Sequence, residues 1–182
     1  MDLSARRPVI ILLCLIWCVA TRGSPHNVGY ASPADECSIQ GRIMRQFGHD
    51  LVPVGPLRVY LFTLEQSRPL QALQRKARER RSQLGAVGPE MGQMMAAYLG
   101  SAAELVPRLT RTAVARTQQR GSYRFEHVPS GKQYQVVALA WREDGLIFIQ
   151  AVTPLLRPGE ALLLDLNDTD DNDWTNVTPA PR

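Results

Sequence analysis

Along this chain, apolar and polar positions alternate with a period of two in two blocks, and a stretch with helical spacing separates them. Within residues 38–44, Ile39, Gly41 and Ile43 share one face while Gln40 and Arg42 take the other, the pattern of a half-buried strand. Over 57–63, Leu57, Val59 and Leu61 face one way and Arg58, Tyr60 and Phe62 the other, so this strand can be covered on both sides. The alternation returns over 112–118, 122–127, 133–141, 146–153 and 161–166. Turn-forming residues stand where these segments end: Arg120-Gly121, Pro129-Ser130-Gly131, Glu143-Asp144-Gly145 and Pro158-Gly159. Residues 45–56 read as a loop.

Between the blocks, residues 64–108 predict two helices. Leu70, Leu73, Ala77 and Leu84 recur three, four and seven apart and form a narrow apolar seam on a basic helix that Gly85 and Gly88 end. Pro89 and Glu90 suit the first turn of a second helix with a wider stripe of Met91, Met94, Met95, Tyr98, Leu99 and Ala102. That stripe reads as packing against the sheet. Gly100, followed by Ser101 and Glu104 as a capping box, leaves open whether the second helix breaks there. Seven strands without strand–helix alternation predict a mainly β protein, an antiparallel sandwich with a two-helix insertion between strands 2 and 3.

The two ends differ from this body. Arg6 and Arg7 precede an uncharged apolar run over 8–20, too short to span a bilayer of roughly 30 Å, and Cys18-Val19-Ala20 offers a peptidase site. Residues 1–20 therefore read as a signal peptide, 21–36 as a flexible N-terminus, 37–166 as the sandwich domain and 167–182 as an acidic, Pro-containing tail. Export to the periplasm or the extracellular space follows. Leu13 before Cys14 and Trp17 before Cys18 do not suit lipidation, and Pro8 directly after Arg6-Arg7 does not suit a twin-arginine signal. Cleavage leaves Cys37 alone, so no internal disulfide can form, and Cys37 reads as a small residue packed at the start of the first strand. His26, His49 and His127 have no zinc-like spacing. The acidic residues from Asp165 to Asp173 lack the glycine and terminal Glu of a calcium loop and read as a solvated tail. No cofactor or metal is expected.

A formal net charge of +4 is too mild to indicate nucleic acid, and its distribution says more than its sum. Residues 65–120 are basic and 160–182 acidic. Neither a Ser-His-Asp nor a Cys-His arrangement has supporting spacing, so a non-enzymatic role is expected.

The most specific local pattern is Gly121-x-Tyr123-x-Phe125-x-x-Val128-Pro129-x-Gly131-x-x-Tyr134-x-Val136-x-Ala138, which reads as a hairpin with its aromatics on the core face. It resembles the carboxypeptidase regulatory-like domain, a transthyretin-like sandwich. Ile39-x-Gly41-x-Ile43 and Leu155-Leu156-Arg157-Pro158-Gly159-Glu160 are similar to that family's first and last strands. The family has one residue fewer between Gly131 and Tyr134, an extra residue that reads as a bulge, and a short loop where residues 64–108 stand here. The resemblance implies the fold and a folding, linking or binding role beside other domains; related sandwiches bind carbohydrate.

Two functions are expected. The leading one is protein interaction or assembly through the helical insertion, whose basic face of Arg75, Lys76, Arg78, Arg80 and Arg81 could meet an acidic protein partner, a membrane surface or the chain's own tail. The alternative is polysaccharide binding at the sandwich edge, with Tyr60, Trp141 or Trp174 stacking on sugar rings.

Overall fold

Strand β1 (Glu36–Phe47) is the spine of the first sheet, and each of the other four described strands of that sheet pairs with it directly. The computed structural model describes residues 35–168 except 48, 85–87 and 143–144, all within one unit, Ala31–Arg182. The expected signal peptide, residues 21–34 of the N-terminus, the tail beyond residue 168 and Trp174 lie outside the described residues.

β1 pairs antiparallel with β5 (Ser122–Pro129) along its first half and with β2 (Asp50–Pro53) along its second. Its other edge runs parallel to β8 (Ala161–Leu163) and then β9 (Leu166–Asp168). The second sheet is wholly antiparallel, in the order β4-β3-β6-β7, from β4 (Ala113–Arg116), β3 (Arg58–Thr63), β6 (Tyr134–Arg142) and β7 (Gly145–Val152). The inner faces close on one apolar core that includes Ile39, Ile43, Val59, Leu61, Tyr134 and Val136.

Helices α1 (Arg68–Leu84) and α2 (Pro89–Leu105) pack on the outer face of the second sheet. Leu70, Tyr98, Ala102 and Val106 meet Phe62, Val137 and Leu139 in a second core. Full burial of a Leu or Phe side chain contributes about 1.5–3 kcal/mol, so the helical pair is a structural layer and no mere appendage. Thr63 and Gln66 turn the chain into α1 with two reciprocal bonds: Thr63 N–H donates to Gln66 Oε1 at 2.9 Å and Gln66 N–H to Thr63 Oγ1 at 3.2 Å. α2 runs through Gly100 without a break, which settles that open point.

The expectation of a seven-stranded antiparallel sandwich needs three corrections. There are nine strands among the described residues. β2 has every side chain exposed, so it has no apolar alternation to read. The last expected strand divides into β8 and β9 around Leu164 and Asp165, and both run parallel to β1, so the first sheet is mixed.

The motif from Gly121 to Ala138 is also not a hairpin. β5 pairs with β1 and β6 pairs with β3 and β7, so the connection at residues 130–133 carries the chain from one sheet to the other. Its aromatics still face a common core, because two strands arching across a sandwich turn their inner faces toward each other just as a hairpin shares one face. The bulge lies elsewhere than expected: Glu126 and His127 stand opposite Ser38, between the pairs Cys37–Val128 and Ile39–Phe125. His127 takes φ 55°, which lets Phe125 and Val128, three apart, both point inward.

β1 and the β8–β9 edge come into close contact at Gly41. A Cβ there would stand 1.9 Å from the Leu164 carbonyl oxygen, so only glycine fits. Tyr123, the cross-strand partner of Gly41, donates its hydroxyl to that same oxygen at 2.6 Å. Burial pushes the Tyr123 phenol well above its ordinary pKa and keeps it a donor. Gly41→Ala should destabilise the fold by about 1–3 kcal/mol or more through overpacking, and Tyr123→Phe by about 1–3 kcal/mol through the orphaned acceptor. Gly100→Ala meets nothing within 4 Å and should stabilise α2 by about 0.5–1 kcal/mol. Urea midpoints of the three variants check the signs; a neutral Gly41→Ala would contradict the packing described.

Candidate functional site

The outer face of the second sheet is longer than its helical cover, and at the uncovered end the alternation of β3, β4 and β6 sets a group of side chains around a pocket of about 360 Å³. That volume lies at the small end of the roughly 300–1,000 Å³ range of ligand sites. Trp141 stands on β6 two residues beyond Leu139, on the same face, and is 69% exposed. Leu139, Ala140, Pro56 and Pro107 add apolar lining, and Ala103 brings in α2.

Tyr60 also lines this pocket but is only 3% exposed. Its ring stacks on Phe62 at 6.2 Å and the Arg111 guanidinium stands 5.9 Å above it. Tyr60 is therefore a wall beneath the helices and Trp141 the open aromatic face. The structure brings these two expected stacking residues to one place.

Two pocket residues escaped the sequence reading, Arg58 at the start of β3 and Arg116 at the end of β4. Both are exposed and stand directly opposite each other in the β3–β4 register. Each carried a signal, an arginine on the alternate face of its strand, but nothing local shows which strands pair or in what register.

The basic helix residues lie apart from this pocket. Arg75, Lys76, Arg78, Arg80 and Arg81 are all exposed on α1. Arg80 Nη1 donates to Gln83 Oε1 at 3.4 Å. Lys76 borders a shallow groove of about 390 Å³ between the helices, with Leu73, Glu104, Leu105 and Arg108. None of the described helices is long and apolar enough to cross a membrane.

Under the helices runs a polar seam that the apolar pattern did not reveal. The Tyr98 phenol lies beside Gln74 and Gln150, and burial pushes it up to about 12. Gln135 Nε2 donates to Gln150 Oε1 at 2.9 Å. Elsewhere, buried Cys37 donates its thiol to the Arg157 carbonyl at 2.8 Å, and Asp165 Oδ1 accepts the Arg42 N–H at 2.8 Å. Among the described residues no three His, Cys, Asp or Glu side chains converge as metal ligands.

No family model matches the chain, and no curated protein matches it either. Among solved structures it is similar to a Pseudomonas aeruginosa protein provisionally assigned to carbohydrate binding, at 16% identity and a TM-score of 0.42, over 79% of this chain and 95% of that one. The minor pilin of Streptococcus agalactiae follows at 7% identity and 0.36, over 81% of this chain and 47% of the pilin. The pilus backbone protein of Streptococcus pneumoniae gives 7% and 0.26, over 72% of this chain and 41% of that one. All three likenesses are loose, and the chain spans less than half of either pilin.

The bulge places a hydrogen-bonded His127–Glu36 pair on the surface. His127 Nδ1 lies 2.5 Å from Glu36 Oε2, and this hydrogen bond, aided by the carboxylate's charge, raises the imidazole above its ordinary 6.5. A raised imidazole favours the folded state below that ordinary value, and the contribution fades as pH rises through the shifted one. Glu36→Gln should bring the His127 titration down toward 6.5 when followed by NMR; an unmoved midpoint would show that the carboxylate is not the cause.

Proposed function

We propose that the chain is an exported, non-catalytic binding module of the transthyretin-like sandwich kind, and that its site is the Trp141 pocket, where a short saccharide lies against the indole. One observation carries the reading: a solvent-facing Trp141, 69% exposed, at the mouth of a ligand-sized pocket with apolar walls held between sheet and helix. Sugar rings present apolar C–H faces that aromatic rings cover, while the polar groups around them remain wet. The site sits on three paired strands, so it is preformed and its binding cost in ordering is low.

Isothermal titration of the chain against cello-oligosaccharides and uronic-acid oligosaccharides tests this. Trp141→Ala should weaken binding about tenfold or more, the order of one lost aromatic stacking contact, and leave the melting temperature within about 1 °C because the side chain is largely in solvent. Absence of heat with every saccharide, or full affinity in Trp141→Ala, would end the proposal.

A second reading, assembly with an acidic protein partner through α1, is supported by five exposed cations on one helix. Among the described residues no ion pair neutralises any of them. Arg78→Glu with Arg81→Glu should then release a co-purifying acidic partner without changing the fold, and an unchanged partner set would count against it.

A further inference from the structure

The pocket beside Trp141 holds more than an aromatic face. Arg58 and Arg116 are direct cross-strand partners and both line it. Side chains so paired start about 4.5–5.5 Å apart at Cβ, and like charges in that relation repel. Among the described residues neither guanidinium has a carboxylate partner, and no carboxylate lines the pocket. A third cation touches two of the lining residues: Arg111 Nη1 donates to the Pro107 carbonyl at 3.0 Å and its guanidinium lies over the Tyr60 ring.

Two uncompensated guanidinia facing one small, otherwise apolar space are a site waiting for an anion. Each presents a planar fork that fits a carboxylate with two parallel hydrogen bonds, and their mutual repulsion falls when a negative charge enters between them. Resting on the saccharide reading above, we propose that the ligand is an acidic sugar: a uronic acid residue whose carboxylate is clamped by Arg58 and Arg116 while its ring lies on Trp141. A neutral sugar would use the indole and leave the two arginines repelling each other. A simple anion would satisfy the arginines and leave the indole and the apolar walls uncovered.

The test compares two ligands with one skeleton, cellobiuronic acid and cellobiose, by isothermal titration of the chain. The uronate should bind about tenfold or more tightly than the neutral sugar, the order expected of a charge-assisted bidentate contact. That preference should collapse in about 0.5 M salt, where screening shortens to a few ångströms. Arg116→Gln should remove the preference for the uronate, and should melt no lower than the parent, because it also removes a like-charge contact.

Equal binding of the two disaccharides would overturn the acidic-sugar assignment and leave the saccharide site standing. Failure of both to bind would overturn the saccharide site as well. N-acetylphenylalanine, offering a carboxylate and an aromatic ring without a sugar, should bind at least tenfold more weakly than the uronate. If it matches the uronate, the pocket recognises a peptide-like carboxylate and the proposal fails.

Discussion

The architecture depends on one close approach, that of the Leu164 carbonyl to Gly41. Its oxygen occupies the space where any other residue would carry a side chain, 1.9 Å from the ideal Cβ position. Tyr123, paired with Gly41 across the sheet, fixes that oxygen with its hydroxyl. Three distant segments, β1, β5 and the β8–β9 edge, are thereby locked at one point. With that edge in place Leu162, Leu164 and Leu166 enter the inner core. The second sheet is packed on both sides, with Val59 and Leu61 toward the sandwich core and Tyr60 and Phe62 toward the helices. This double packing fixes the register of β3 and places Arg58 beside Arg116.

Much of this was legible in the chain because burial leaves a periodic mark. The alternation of Leu57–Val59–Leu61 against Tyr60–Phe62 announced a strand covered on both faces, and the 3.6-residue seam of Leu70, Leu73 and Ala77 announced α1. What stayed hidden has no periodic mark. β2 is exposed throughout and looks like loop. The arch from β5 to β6 has the same inward alternation as a hairpin, so the pattern cannot say which sheet a strand joins. The parallel pairing of β8 and β9 with β1 depends on a partner some 120 residues away, as the Cys37–Arg157 contact shows.

The candidate site was half legible for the same reason. Tyr60 and Trp141 were visible as aromatic residues on strands, but their convergence needed the β3–β6 register, in which Tyr60 faces Val137 and Arg58 faces Leu139. Arg58 and Arg116 could be seen only as part of a basic middle region. Pairing turned two ordinary charges into one electrostatic feature. The five basic residues of α1 are exposed, and none of them lines the pocket that holds Tyr60 and Trp141.

The sheet-crossing arches have a consequence for how the chain reaches this state. Most of its strand pairs join segments far apart in the chain, and the lock at Gly41 cannot close until residues beyond 160 have arrived. High contact order of this kind slows folding, since a long loop must close before any of its contacts stabilise it. The helical pair and the strand pairs β1–β2 and β6–β7 are the local exceptions, able to form early. The edge of β1 that awaits β8 and β9 is then the last to be paired, and during synthesis it is the place where a second nascent chain could pair in error.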